Sequence, residues 1–184
     1  MIKVNDTIIA AALELGIADK VRLFLEQNDE TGKEITKQLL HCFNIVENEL
    51  ALDYLPLKAE TEVESQTGVI AYSALPKNVV RILKVQDEWG NDVPFKIYPE
   101  YLQAQSGTFK VTYSYTPEEK ELGEESDFTL FASVRLFAFG MAAEYALMNG
   151  LYEDAAVWEK KYKDAIKRTY RLNVGKTVRS RRWV

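Results

Sequence analysis

The sequence predicts an α+β subunit: a helical bundle with an inserted small antiparallel β-sheet and an extended basic C-terminal arm. Three observations carry this prediction. Apolar residues recur at helical spacing up to about residue 55, alternate singly between 57 and 116, and return to helical spacing over 126–172. The composition, 47% hydrophobic and 28% charged over 184 residues, suits a folded chain with a real core. Charge is also segregated: residues 161–184 hold nine basic residues and one acid, net +8, whereas the other 160 residues carry −13. An acidic body with a basic end marks an interaction tail. The chain is read as one domain with N-terminal helices 1–55, a β-subdomain 57–116, an acidic connector and helical hairpin 117–172, and a basic arm 173–184.

Taken in order, Asn5 or Asp6 is placed to cap a first helix that runs to Leu15, and Gly16 supplies a left-handed stop. A short second helix is expected over Ala18–Gln27. Thr31-Gly32-Lys33-Glu34 has the spacing of a capping box. Beyond it, Ile35, Leu39, Cys42, Phe43, Val46 and Leu50 form one helical stripe. That helix should stop near Tyr54, because Pro56 disfavours helical geometry at Leu55.

From Leu57 the period becomes 2. Phe109, Val111, Tyr113 and Tyr115 alternate with Lys110, Thr112 and Ser114, as expected of a half-buried strand, and Val93, Phe95 and Ile97 alternate with Pro94 and Lys96. Strands are also expected at Gly68–Ser73 and Val79–Val85, with Asp87-Glu88-Trp89-Gly90-Asn91-Asp92 as the turn before Val93. Together they predict one antiparallel sheet of four or five strands.

An acidic connector over 118–127 then leads into a long apolar helix, Phe128–Met148, whose N-terminal dipole its carboxylates would complement. Asn149-Gly150 ends that helix. Leu151, Ala155, Trp158, Tyr162, Ala165, Thr169 and Leu172 stripe a second, antiparallel one, with Glu159/Lys163, Lys160/Asp164 and Asp164/Arg168 as i,i+4 pairs. The apolar run carries Arg135 and Glu144, each costing roughly 2.5–3.5 kcal/mol near a bilayer centre. A buried bundle helix is therefore expected, in a soluble, non-secreted protein that meets no membrane.

Most catalytic chemistry lacks its parts. One His (His41) and one Cys (Cys42) exclude zinc sites built from His and Cys clusters, and a disulfide framework needs more cysteines. Gly175-Lys176-Thr177 is no phosphate loop, since Tyr170 stands where the earlier glycine belongs. Cys42 falls on the apolar stripe and reads as core filler. Glu124 and Glu125 are neighbours in a connector expected to be solvated. Tyr98, Tyr101, Phe109, Tyr113 and Tyr115 could stack bases, but residues 57–117 hold more acids than bases, so sheet packing or a protein interface is expected. Arg135 and Glu144 should pair, within the bundle or across a subunit interface. No catalytic residue, cofactor or metal is expected.

The order of parts resembles the head-to-tail adaptor (connector) proteins of tailed bacteriophages. The resemblance runs through Val79-Val80-Arg81-Ile82-Leu83-Lys84-Val85, the Asp87–Asn91 turn, the Phe109–Tyr115 strand, the stretch Ala142–Glu153, Trp158–Ala165 and the basic ending Arg179-Ser180-Arg181-Arg182-Trp183-Val184. It implies a structural virion protein of the neck, assembled in the host cytoplasm into a dodecameric ring. Such a ring docks on the portal protein and leads genomic DNA, without sequence-specific binding, to a downstream stopper or tail protein. It also implies that Lys176, Arg179, Arg181, Arg182, Trp183 and Val184 bind the portal. An acidic body is compatible with a lumen through which DNA slides. The alternatives are a nucleic-acid-binding module that uses the basic arm, or another neck ring such as a stopper or tail terminator.

Overall fold

The structure is a computed structural model, and it describes residues 2–129 and 132–173, with side chains to 169. It is an α+β fold with a helical bundle and small antiparallel sheets. Two compact units make up the chain: residues 1–46 with 120–184, and residues 47–119. The sheet-bearing unit is wider than the 57–116 expected from periodicity. The π-helical turn Leu50–Tyr54 and the β-strand over 107–116 pack together inside it, so the chain joins the unit before its strands begin.

In the helical unit, α1 (Val4–Glu14) and α2 (Ala18–Gln27) are joined at Gly16, whose φ of +71° suits a residue without a Cβ. Lys3 is the N-cap of α1, and no side chain caps it. Asn5, expected as a cap, instead accepts the Gly123 N–H at 2.9 Å. The capping box at Thr31 also gives way. Asp29 Oδ1 accepts both the Thr31 amide (2.9 Å) and hydroxyl (2.8 Å), capping a short 3-10 turn, and α3 (Lys33–Glu49) starts two residues later.

Helix α4 (Val134–Met148) starts six residues later than the apolar run suggests. Ser133 Oγ accepts the Leu136 N–H at 3.2 Å and so sets the start. The connector carboxylates are therefore not in its first turn, which holds no acid. The connector is mostly exposed, as expected, and is also pinned at several points. Asn44 of α3 accepts the Lys120 N–H (2.8 Å) and donates to the Lys120 carbonyl (3.1 Å). Val4 N–H reaches the Glu124 carbonyl (3.0 Å), Ser126 N–H reaches the Ile2 carbonyl (2.9 Å), and Lys120 Nζ meets Asp127 Oδ1 at 2.7 Å with both side chains mostly buried.

Helix α5 (Tyr152–Asn173) returns against α4. Among its described side chains Ala155, Tyr162 and Ile166 are buried, whereas Leu151 before it stays half exposed. Glu159 pairs with Lys163, and Asp164 takes Lys167 at 3.7 Å. The unit's core is aromatic at its centre: Phe43 of α3 stacks on Phe137 of α4 with centroids 5.1 Å apart, and Phe128 meets Phe137 edge-on.

In the second unit there are two three-stranded sheets, not one sheet of four or five strands. The first has β1 (Leu57–Ser65) and β3 (Asn78–Gln86) on either side of β6 (Gly107–Thr116), with Leu57 opposite Tyr115 and Ser65 opposite Gly107. The second orders β2 (Val69–Ala71), β5 (Tyr101–Gln103) and β4 (Lys96–Ile97). Ile70 and Leu102 from one sheet and Ile82, Val85, Phe109, Val111 and Tyr113 from the other form one core. The strand expected from the alternation of Val93, Phe95 and Ile97 shrinks to Lys96–Ile97. Pro94 has no N–H for a ladder, and Val93 spends its own on the Val85 carbonyl at 2.9 Å.

Candidate functional site

Chemistry-bearing residues come first. Cys42 is fully buried, and its thiol lies 3.6 Å from the Met148 sulfur. Burial, and then the nearby charge of Glu144, push the thiol up to about 12, and a thiol held neutral is a poor nucleophile. Glu124 accepts the Glu121 N–H through its carboxylate (2.8 Å), and Glu125 forms a β-bridge with Lys3. The Glu124 carboxylate and the backbone bridge of Glu125 to Lys3 hold the connector in place. Among the described residues no group of three or more His, Cys, Asp or Glu is arranged to hold a metal ion, and no helix is long and apolar enough to cross a membrane.

Arg135 and Glu144 do not meet. Nine residues of α4 separate them, which is about 13.5 Å along the axis and half a turn out of phase. Arg135 is exposed and lies over the Phe139 ring, 5.1 Å from its centroid. Glu144 is half-buried. Desolvation, and then the charge of Glu159, raise its pKa, while His41 works in the opposite direction. Their helical phases made the two residues unsuitable as partners within one chain.

The predicted aromatic cluster divides by role. Phe109 and Tyr113 are buried in the sheet core, where they are closed to any ligand. Tyr98 and Tyr101 stack on each other at 4.7 Å, and the Tyr98 carbonyl accepts the Tyr72 hydroxyl at 2.8 Å. Tyr115 carries Lys77 above its ring. Lys176, Arg179, Arg181, Arg182, Trp183 and Val184 lie outside the described residues.

Among the described residues, three surfaces suit contact with another protein. At the α4–α5 turn, Leu147, Met148, Leu151 and Tyr152 are 48–73% exposed, although they fall within six residues of one another. Near the start of α4 a groove of about 350 Å³ is lined by Arg135, Phe139, Lys161 and Arg168, with Glu14 and Asp164 beside them. Arg135 and Lys161 both lie over the Phe139 ring, Lys161 at 5.7 Å, and Lys161 also sits 3.7 Å above Trp158.

The third surface is the loop after β3. Asp87 Oδ1 accepts the N–H groups of Trp89 (3.0 Å) and Asn91 (2.8 Å), and Oδ2 accepts the Asn91 side chain (3.0 Å). These bonds hold the Asp87 carboxyl below its usual range, led by the Asn91 side chain. Gly90 takes φ +82°, and its carbonyl accepts Gln86 Nε2. This ordered loop carries Trp89 at its tip, 82% exposed. The turn chemistry of Asp87, Gly90 and Asn91 was legible in the sequence; the exposure of Trp89 and the groove on α4 and α5 were not. Compared with protein-family models and with curated proteins, the chain matches none.

Proposed function

We propose that this chain is a non-catalytic structural subunit, a head-to-tail adaptor that forms a ring in the neck of a tailed bacteriophage virion. In this reading it docks on the portal through its basic C-terminal end and passes DNA towards a downstream stopper or tail protein. The observation that carries the reading is the exposed apolar turn, Leu147, Met148, Leu151 and Tyr152. Four large side chains left in water so close together are what a subunit interface covers. The charge distribution supports the polarity of the assembly. A body of −13 avoids the DNA backbone, while an end of +8 with one large aromatic fits acidic protein grooves, the Arg forks pairing with carboxylates.

Native mass spectrometry and negative-stain imaging of the full-length chain, alone and mixed with portal, test this. The expected result is a closed ring, most simply of twelve copies, that binds portal. Deleting residues 179–184 should leave the ring and abolish its attachment to portal and to DNA-filled heads. A chain that stays monomeric at every concentration and ignores portal overturns the reading. The +8 segment favours one second reading, a nucleic-acid-binding module. Its mark is duplex affinity that falls with salt, with a log–log slope of about −0.9 per phosphate contact.

A further inference from the structure

We propose that Trp89 of one copy seats in the groove floored by Phe139 of the next, so that an acidic aromatic loop and a cation-lined cleft form a subunit contact. The inference rests on reading the chain as a ring subunit and names one contact that such a ring would use, besides the apolar turn at residues 147–152.

The two surfaces complement each other in three respects. The first is shape: the loop projects one indole, 82% exposed, and the groove offers about 350 Å³. That volume is at the small end of the roughly 300–1,000 Å³ typical of sites that hold a compact ligand group. The second is charge. Residues 87–92 contain Asp87, Glu88 and Asp92 and no base. Lys84 holds Asp92 at 3.0 Å, and Glu88 forms no ion pair among the described residues. The groove presents Arg135, Lys161 and Arg168; of its two carboxylates, Asp164 is engaged by Lys167. Arg135 and Lys161 lie over an aromatic ring and form no ion pair among the described residues, so both charges are open to a carboxylate or an indole face.

The third is rigidity. The loop is fixed by its own Asp87 hydrogen bonds, and two of the groove cations, Arg135 and Lys161, lie over aromatic rings, so little ordering is needed on contact. Tryptophan and arginine are also the residues that most often dominate interface energetics. The loop and groove are different patches of one chain, so their contact is heterologous. Repeated with rotation, such a contact closes into a ring. Charge complementarity within one sequence is what selects a second copy as the occupant.

The test compares full-length wild type with Trp89→Ala, Arg135→Glu and the double variant Glu88→Arg/Arg135→Glu by sedimentation and native mass spectrometry across a concentration series. Trp89 and Arg135 are exposed, so all variants should keep the wild-type circular dichroism and melting curve. The expected result is that each single variant needs at least tenfold more protein to assemble, and that the charge-swapped double variant regains much of the loss. If both single variants assemble at the wild-type concentration, the contact is wrong and the ring reading stands. If they assemble normally but lose binding to portal, the groove's occupant is another protein, and the inference also fails. A wild-type chain that never self-associates overturns both.

Discussion

Gly140 of α4 lies so close to Val46 of α3 that a Cβ built on the glycine would stand 2.9 Å from Val46 Cγ1, with Tyr162 Cε2 of α5 at 3.0 Å. Three helices converge there because one of them has no side chain. Replacing Gly140 with Ala gains about 0.8–1.0 kcal/mol of helix propensity but overpacks a closed junction, at a cost of about 1–3 kcal/mol. Gly140→Ala should be destabilised by up to about 2 kcal/mol, and Gly140→Leu by clearly more. Urea unfolding of the two variants beside wild type checks the order. Neutral behaviour of Gly140→Leu would mean that the helices are not packed this closely.

Asn44 clamps the acidic connector by bonding both backbone groups of Lys120. Removing it in Asn44→Ala leaves a partly buried N–H and carbonyl without their partner, a loss of about 1–3 kcal/mol. Hydrogen exchange should show the backbone around Lys120 opening faster in the variant, while the sheet core around Val111 and Tyr113 keeps its protection.

The Cys42 thiol, pushed up to about 12 and fully buried, carries little thiolate at pH 8. Against the ordinary value of 9.0 the thiolate fraction is lower by roughly a thousandfold. Labelling with a disulfide reagent at pH 8 should be very slow for the native chain and immediate in denaturant. Rapid native labelling would contradict this burial.

Glu144 is raised above the ordinary glutamate value of 4.5, first by desolvation and then by the charge of Glu159. The folded state therefore holds its proton more tightly than the unfolded state. The resulting contribution to stability is full below about pH 4.5 and is lost as pH rises through the folded value. Glu144→Gln should then be more stable than wild type at pH 7, with the difference closing as pH falls towards 4. Urea midpoints at the two pH values measure this. A difference that does not change with pH would exclude Glu144 as its source.

Several elements were determined by the sequence alone, because their causes are local. The change of period at Leu57 and back again is written in single residues, and so are the left-handed stop at Gly16 and the hairpin over Asn149-Gly150. A turn or a periodic stripe depends on neighbours within a few positions. Tertiary structure decided the rest. Asn5 and Thr31 have capping chemistry, but whether they cap depended on competitors. Asn5 took the Gly123 amide, 118 residues away, and Asp29 took Thr31. The apolar alternation at Val93–Ile97 did not show that Val93 would spend its N–H on Val85, or that the strands would divide into two sheets around one core. The groove at Phe139 draws on α1, α4 and α5, residues as far apart as Glu14 and Arg168. No spacing in a linear sequence encodes such a convergence, because it exists only once the helices have packed.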